Sequence, residues 1–280
     1  MPSSRTTIPP WALLSLATNG ILLLTVTLLL TRYPTASVTP APSGSLDARA
    51  SETSATEASA SSTPEEPQLG PRHQWTYEQW VAQLAREAEA IAANPPDRLA
   101  ILAGDSISLW FPPELLPEEL TWLNQGISGE VSSGLLDRLE LFDNTNPEVI
   151  FVMIGINDLL RGVSPEAILN NYRLIIQDLR WVHPNAKVVV QSILPHRGSQ
   201  ASWEGSAKLS DIPNSQIRDL NRELKTIAAV EGAYFLDLYP LFANSQGNLR
   251  SELTTDGLHL NDRGYYIWRS ALQVFQGLQL

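Results

Sequence analysis

The fold is decided by a stretch in which an apolar strand runs directly into a polar turn, Leu99-Ala100-Ile101-Leu102-Ala103-Gly104-Asp105-Ser106. The same change recurs where Val149-Ile150-Phe151-Val152-Met153-Ile154 is followed by Gly155-Ile156-Asn157-Asp158. Short apolar runs that are bounded by turn residues are typical of strands buried on both faces. Two such runs therefore predict an open parallel sheet with polar side chains along its carboxyl edge.

Strand and helix patterns alternate from about Trp75 to the end of the chain. This alternation predicts an α/β protein in which helices cover both faces of a parallel sheet of five strands. The predicted strands are 99–103, 121–124, 149–154, 187–191 and 233–237, and the predicted helices are 76–93, 131–142, 165–182, 214–230 and 262–275.

Composition narrows the classes of function. The chain has 280 residues, of which 43% are hydrophobic, and this is enough for one large core plus appendages. A net charge of −11 disfavours nucleic acid and anionic lipid headgroups as partners. The absence of cysteine excludes disulfides and thiol catalysis, and the four histidines lack the paired spacing of zinc ligands. We therefore expect no metal.

Residues 1–32 are predicted to form an N-terminal transmembrane anchor. Trp11 to Thr31 is apolar, and no charged residue occurs between Arg5 and Arg32. A helix of this length spans about 31 Å, close to the thickness of the hydrocarbon layer of a bilayer. A cleaved signal peptide is the alternative, although no clean small-x-small cleavage site comes after the segment. We expect the rest of the chain to be extracytoplasmic, because short N-terminal anchors usually export the domain that they carry.

Residues 33–74 are predicted to be a disordered linker. The segment is rich in Ser, Ala, Thr, Pro and Glu and has few large apolar side chains, so it buries too little surface to offset the entropy of ordering. The sequence thus predicts three regions: the anchor 1–32, the linker 33–74 and a folded domain 75–280.

Three polar residues are candidates for covalent chemistry. Ser106 follows a strand and a tight turn, and a serine hydroxyl needs a base to become a nucleophile. His259 is the base that we favour, because Asp256 lies three residues earlier and one turn of chain brings its carboxylate to the imidazole. Taken alone, Asp256 is also a candidate cap for a helix near Asn261, and His259 a candidate surface histidine. With this base, activity should decline as pH falls through about 6.5, where histidine side chains ordinarily take up a proton.

Amide donors at the same edge would stabilise negative charge on a substrate oxygen. Asn157 ends a buried strand, where its side chain either donates to that oxygen or ties down the loop. The backbone amides of Ser106 and Gly129 are further donors, with Gly126 as the alternative to Gly129. Asp158 is expected to be a loop or helix-capping residue.

These sequence blocks resemble those of the SGNH hydrolases, the GDSL-type lipases and esterases, over the whole domain after the linker. The resemblance implies that Ser106 is the nucleophile and that Asp256 and His259 are the acid and base. It further implies an oxyanion hole made by Ser106, Gly129 and Asn157. The implied fold is a flavodoxin-like three-layer α/β/α sandwich, and the implied mechanism uses an acyl-enzyme and no metal or organic cofactor.

The resulting expectation is a membrane-tethered serine esterase that acts on a small-molecule or glycan acyl ester, such as O-acetyl groups on envelope or extracellular glycans. An acyltransferase using the same residues and a non-catalytic binding module are the alternatives. Trp110, Phe111 and Trp203 are candidates for a substrate platform, although core or loop packing is favoured for each one taken alone. His196 is expected in a loop, and 196–210 is a candidate lid.

Overall fold

The structure is a computed structural model that describes residues 75–203 and 205–280. The predicted anchor and linker lie outside the described residues, so the boundaries at 32 and 74 stay predictions. Within the part of the chain that the structure describes, no helix is long and apolar enough to cross a membrane.

Five parallel strands form one sheet, as the sequence predicts. In sheet order β2-β1-β3-β4-β5, the strands are β1 (Leu99–Gly104), β2 (Thr121–Gly126), β3 (Val149–Met153), β4 (Lys187–Gln191) and β5 (Tyr234–Leu236). Gly104 pairs with Gly126 on one side and with Met153 on the other, so the first three strands end level. The chain reverses its direction of travel across the sheet between β1 and β3. A crevice opens at such a switch point in α/β sheets and is the usual place for a ligand.

The helices connect the strands and cover both faces of the sheet. They are α1 (Tyr77–Ala93), α2 (Ser106–Leu109), α3 (Ser132–Asp137), α4 (Ile156–Leu160), α5 (Pro165–Val182), α6 (Asn214–Val230), α7 (Tyr239–Phe242) and α8 (Asp262–Gln279). Short 3-10 helices lie at Pro113–Leu115, Leu139–Phe142, Gly198–Gln200, Ser206–Asp211 and Ser251–Leu253.

Alternating side chains of the strands divide the core in two. In β1, Ile101 and Ala103 face a cluster that includes α1, α3, α5 and α6, whereas Ala100 and Leu102 face a cluster that includes α7 and α8. Because both faces of β1 are fully buried, the strand reads as a continuous apolar run. The three-layer α/β/α prediction is confirmed for the described domain.

Several predicted boundaries were wrong, two of them for identifiable reasons. The helix predicted over 131–142 breaks at Arg138, whose guanidinium enters a buried ion pair, and the chain continues as a 3-10 helix. β3 ends one residue early because the hydroxyl of Tyr172 bonds both the N–H and the C=O of Ile154, at 2.9 Å and 2.7 Å. The last helix continues to Gln279.

Candidate active site

Ser106 is the first residue of α2, directly after β1. Asp105 caps this short helix, since its Oδ1 accepts the N–H of Ile107 at 2.9 Å. Gly126 at the end of β2 lies against the same turn: a Cβ there would come within 2.5 Å of the Leu109 nitrogen. Local capping and this close contact fix the hydroxyl at the carboxyl edge of the sheet, where Ser106 is 5% exposed.

Ser106, His259 and Asp256 form one chain of hydrogen bonds. Asp256 Oδ2 lies 2.6 Å from His259 Nδ1, and His259 Nε2 lies 3.1 Å from Ser106 Oγ. A carboxylate only accepts, so Nδ1 carries the hydrogen and Nε2 is left to accept the hydroxyl proton of Ser106. The three residues that the sequence singled out are therefore brought together in the order that nucleophilic catalysis requires.

The loop between Thr254 and Leu260 orients the carboxylate of Asp256. Its second oxygen, Oδ1, accepts the backbone N–H groups of Leu258 and His259 at 2.9 Å and 2.8 Å. Partial burial acts to raise the pKa of Asp256, but the hydrogen bonds from the His259 ring and these two amides outweigh it, and the pKa lies below its usual value. Asp256 does not cap α8, because Asn261 does so.

Asn157 lies in the first turn of α4, at the end of β3. The turn passes through Gly155, whose φ of 125° favours glycine and where a Cβ would lie 2.7 Å from the Ile193 side chain. The side-chain nitrogen of Asn157 is buried and has no acceptor among the described residues. A buried donor without an acceptor is unusual in folded proteins, and here it lies at the end of a strand next to the one that carries Ser106.

Gly129 and Gly126 have different surroundings. Gly126 is the last residue of β2 and is packed against α2, whereas Gly129 lies in the following loop with a φ of 75°. Arg161 of the segment after α4 donates to the Gly129 carbonyl at 2.7 Å. These surroundings favour Gly129 over Gly126 as the donor residue.

Several buried polar residues around the site were missed from the sequence. Arg138 pairs with Glu130 at 2.9 Å, with both side chains 3% exposed, and also donates to the carbonyl of Gln125 at 2.9 Å. Asp158, by contrast, was expected from the sequence to be a loop or helix-capping residue, and it accepts the backbone N–H of Ser132 at 2.8 Å and so caps α3. These contacts hold the loops that come after β2 and β3, and no spacing in the sequence indicates such pairs.

Asp105 is a buried carboxyl immediately before the nucleophile. Burial, reinforced by the nearby charges of Asp158 and Glu130 and opposed by the hydrogen bond from Ile107, raises the pKa of Asp105 to about 7. Its location behind the turn assigns it a capping role and does not place it in the proton path.

Two tryptophans flank the histidine. The ring centroids of Trp110 and His259 are 4.2 Å apart, and Trp203 lies edge-on at 6.3 Å. Phe111, by contrast, is a core residue packed on Trp268, as expected from the sequence if it was not part of a substrate platform.

The candidate lid, residues 196–210, contacts the loop that carries Asp256 and His259. The N–H groups of Arg197 and Ser202 donate to the carbonyls of Gly257 and Asp256 at 2.9 Å and 2.8 Å. His196 is a buried loop residue whose Nδ1 accepts the N–H of Gly198, and burial lowers the pKa of His196. Movement of this segment stays a prediction. Within 75–203 and 205–280, no group of three or more His, Cys, Asp or Glu residues is placed to hold a metal ion.

A three-layer fold with a Ser–His–Asp chain of hydrogen bonds at its switch point defines the class of the serine hydrolases. The protein belongs to the GDSL-like lipase/acylhydrolase family, whose model matches residues 91–267, more than half of the sequence.

Curated relatives match part of the domain. The human platelet-activating factor acetylhydrolase IB subunit alpha1 is 32% identical over 150 residues, which are 51% of this chain and 58% of that protein. An arylesterase of Vibrio mimicus is 29% identical over 126 residues, covering 40% of this chain and 63% of the relative. The chain thus spans less than two thirds of the length of these relatives.

Solved structures share the fold. A Streptococcus pneumonia protein described as a platelet activating factor superposes with a TM-score of 0.63 and 26% identity, covering 71% of this chain and 95% of the other. A GDSL-like lipase from Bacteroides thetaiotaomicron superposes with a TM-score of 0.59 and 20% identity, covering 71% of this chain and all of that one (100%).

Proposed function

We propose that this protein hydrolyses small acyl esters through an acyl-enzyme formed on Ser106. The observation that carries the proposal is the chain of hydrogen bonds from Ser106 Oγ through His259 to Asp256, at 3.1 Å and 2.6 Å. In this arrangement a neutral imidazole is ready to take the serine proton, and a carboxylate is ready to stabilise the imidazolium that results.

The proposed reaction has two halves. Ser106 Oγ attacks the ester carbonyl while its proton passes to His259 Nε2, and the negative oxygen is held by the amides of Ser106 and Gly129 and by the side chain of Asn157. Collapse of this intermediate expels the alcohol, which takes the proton from His259. Water then repeats the sequence on the acyl-serine and releases the acid.

A small acyl group fits the covered position of the nucleophile. Ser106 is 5% exposed and the side chain of His259 is 12% exposed, with Trp110 and Trp203 beside the imidazole. The name of the human relative specifies an acetylhydrolase, and this supports acetate as the acyl group. O-acetyl groups of an envelope or extracellular glycan are the proposed natural esters if the predicted anchor exports the domain.

The test is hydrolysis of p-nitrophenyl acetate by the full-length chain beside two serine variants. Ser106→Ala should lower kcat/KM by at least about a thousandfold. Ser108→Ala is the matched control, because Ser108 lies two residues further along α2, is equally buried and has an unpaired hydroxyl among the described residues. It should retain activity. Equal, feeble rates in wild type and Ser106→Ala would reject the proposed esterase activity and favour the alternative of a non-catalytic binding module.

Two further assays address the finer alternatives. Acetate release from O-acetylated glycans, compared with release from acetylated lipids, tests the glycan assignment directly. Product analysis with an added sugar acceptor separates hydrolysis from acyl transfer, since a transferase would give acylated sugar in place of free acid.

A further inference from the structure

A second cavity lies next to the candidate site, along the outer edge of β2. It is an open groove of about 570 Å³ between α1 and the segment after α2, within the size range of small-molecule sites. One wall is a stripe of α1 with helical spacing, formed by Trp80, Leu84, Glu87 and Ile91.

The groove offers a ligand mainly apolar surface. Leu109, Trp110 and Trp122 form much of the opposite wall. Two polar side chains of this wall bond protein groups, and Glu87 of α1 accepts a hydrogen bond from Gln83 at 2.6 Å. Asn124 donates to the Ser108 carbonyl at 2.7 Å and accepts the Gly126 N–H at 2.9 Å, and the indole N–H of Trp122 donates to the Pro117 carbonyl at 2.8 Å. A hydrocarbon chain would leave water here without displacing a polar contact, whereas a sugar would find few hydrogen-bond partners.

Trp110 connects the groove to the catalytic histidine. Its ring lies 4.2 Å from that of His259, centroid to centroid, and the same residue lines the groove. The Leu84 carbonyl accepts from Gln125 near the end of β2, so the first half of α1 lies level with the carboxyl edge of the sheet. The groove therefore begins at Trp110, which contacts His259, and extends from there along α1.

We propose that this groove binds a hydrocarbon chain of the ester substrate, in its alcohol or its acyl half, with Trp110 as the wall between the chain and His259. The catalytic consequence rests on the proposed ester hydrolysis and favours an ester with a hydrocarbon chain over an O-acetylated glycan, whereas binding of the chain depends on neither. A chain of about eight carbons starting at Trp110 would lie along the stretch of α1 from Trp80 to Glu87. Each methylene that leaves water for this surface contributes a factor of roughly four in binding or in kcat/KM.

The test fills the groove and compares chain lengths. Glu87→Trp places a large ring in the groove, and Glu89→Trp is the matched control, because it makes the same change at an exposed position of α1 that does not line the groove. Butyl and octyl acetate vary the alcohol half, and p-nitrophenyl butyrate and octanoate vary the acyl half. In either the alcohol series or the acyl series, the wild type and Glu89→Trp should hydrolyse the longer ester with a kcat/KM at least tenfold higher than that for the shorter one. Glu87→Trp should lose this preference, because filling the groove lowers the rate on the longer ester far more than the rate on the shorter one.

The same chain-length profile in Glu87→Trp and Glu89→Trp would overturn the proposal, as would a wild type that ignores chain length and cleaves only acetylated sugars. If none of these proteins hydrolyses any ester, the proposed function is rejected. Whether the groove binds a hydrocarbon chain is then tested separately, by measuring binding of 1-octanol. Calorimetric titration of full-length Ser106→Ala with 1-octanol should give binding that an added Glu87→Trp weakens at least tenfold and an added Glu89→Trp leaves unchanged. Absence of that difference would reject the groove on its own.

Discussion

Asn157, the proposed side-chain donor to the oxyanion, departs from the rule that buried polar groups are paired. Its buried side-chain nitrogen has no acceptor among the described residues, and such a donor costs about 1–3 kcal/mol. A residue that only tied down its loop would be paired, as Asn221 is: its side chain bonds both the N–H and the C=O of Ile193 at 2.8 Å. The unpaired donor is explained if its acceptor is the oxyanion, which exists only during the reaction.

Replacing Asn157 by Ala should therefore lower kcat about 100- to 1000-fold with little change in KM, because the lost hydrogen bond belongs to the transition state. The melting temperature should stay the same or rise, since an unsatisfied donor is removed. Asn221→Ala is the opposite case and should lower the melting temperature, because it leaves two buried backbone groups unpaired. Steady-state kinetics and thermal unfolding of the two variants provide the comparison. A strong loss of stability in Asn157→Ala with kcat nearly intact would assign Asn157 a structural role.

Asp105 should make stability depend on pH. Its pKa is about 7 in the folded protein, against about 3.9 in an unfolded chain. Between these values the folded state binds the extra proton, so this group lowers the stability progressively as pH rises from about 4 to about 7, by on the order of 4 kcal/mol in total. Asp105→Asn keeps an oxygen for the Ile107 N–H but has no ionisable group. The variant should gain stability over the wild type across this range and hold the gain above pH 7.

Urea unfolding at pH 4.5, 6 and 8 measures this difference. Asp97→Asn, at an exposed position before β1, is the control, and its stability should follow that of the wild type at all three pH values. A stability difference between wild type and Asp105→Asn that is constant from pH 4.5 to 8 would show that Asp105 does not titrate in this way.

At the scale of elements, the buried Glu130–Arg138 pair joins the strand ends that carry the site. Arg138 contacts Glu130 and the carbonyl of Gln125, and so links α3 to the end of β2. Arg138→Met should destabilise the protein by about 3–5 kcal/mol, because it leaves the carboxylate of Glu130 buried without a partner. The double variant Glu130→Gln/Arg138→Met should recover at least about 1 kcal/mol of that loss, since no uncompensated charge remains. Denaturant unfolding tests this, and a double variant less stable than the single one would contradict it.

Regular elements were predictable because their signals are local. The helix at 165–182 has a Ser–Pro start and an amphipathic stripe, and the sequence places both of its ends as the structure does. Tertiary contacts override local signals elsewhere. The break at Arg138 and the early end of β3 depend on a guanidinium and a tyrosine hydroxyl that bond groups distant in sequence.

The candidate site also contains contacts that follow from local spacing and contacts that depend on the tertiary fold. The contact between Asp256 and His259 follows from a spacing of three residues, whereas Ser106 and His259 are 153 residues apart and meet only because β1 and the loop before α8 reach the same edge of the sheet. Their meeting was predicted through the order of the motifs. The contact between the tilted rings of Trp110 and His259 depends on side-chain packing, for which the sequence carries no periodic signal.

At the scale of the whole molecule, the predicted anchor should control where the chain is found. Trp11 to Thr31 carries no charge and is long enough to span a bilayer, although these residues lie outside those that the structure describes. The full-length chain should therefore stay with membranes after washing at high pH, and a variant lacking residues 1–32 should not. Release of the full-length chain by the wash would show that residues 1–32 bind the membrane only peripherally. Removal of the N-terminal segment during export would show that it is a cleaved signal peptide.

The central claim is that His259 activates Ser106 as a nucleophile. The most direct measurement is the rate and position of covalent labelling of the full-length chain by diethyl p-nitrophenyl phosphate, which phosphorylates activated serines, read by intact and peptide mass spectrometry. We expect one label per chain, on Ser106. The label should form at least about a thousandfold more slowly in His259→Ala than in the wild type. Labelling of another residue, or an equal rate in His259→Ala, would contradict it.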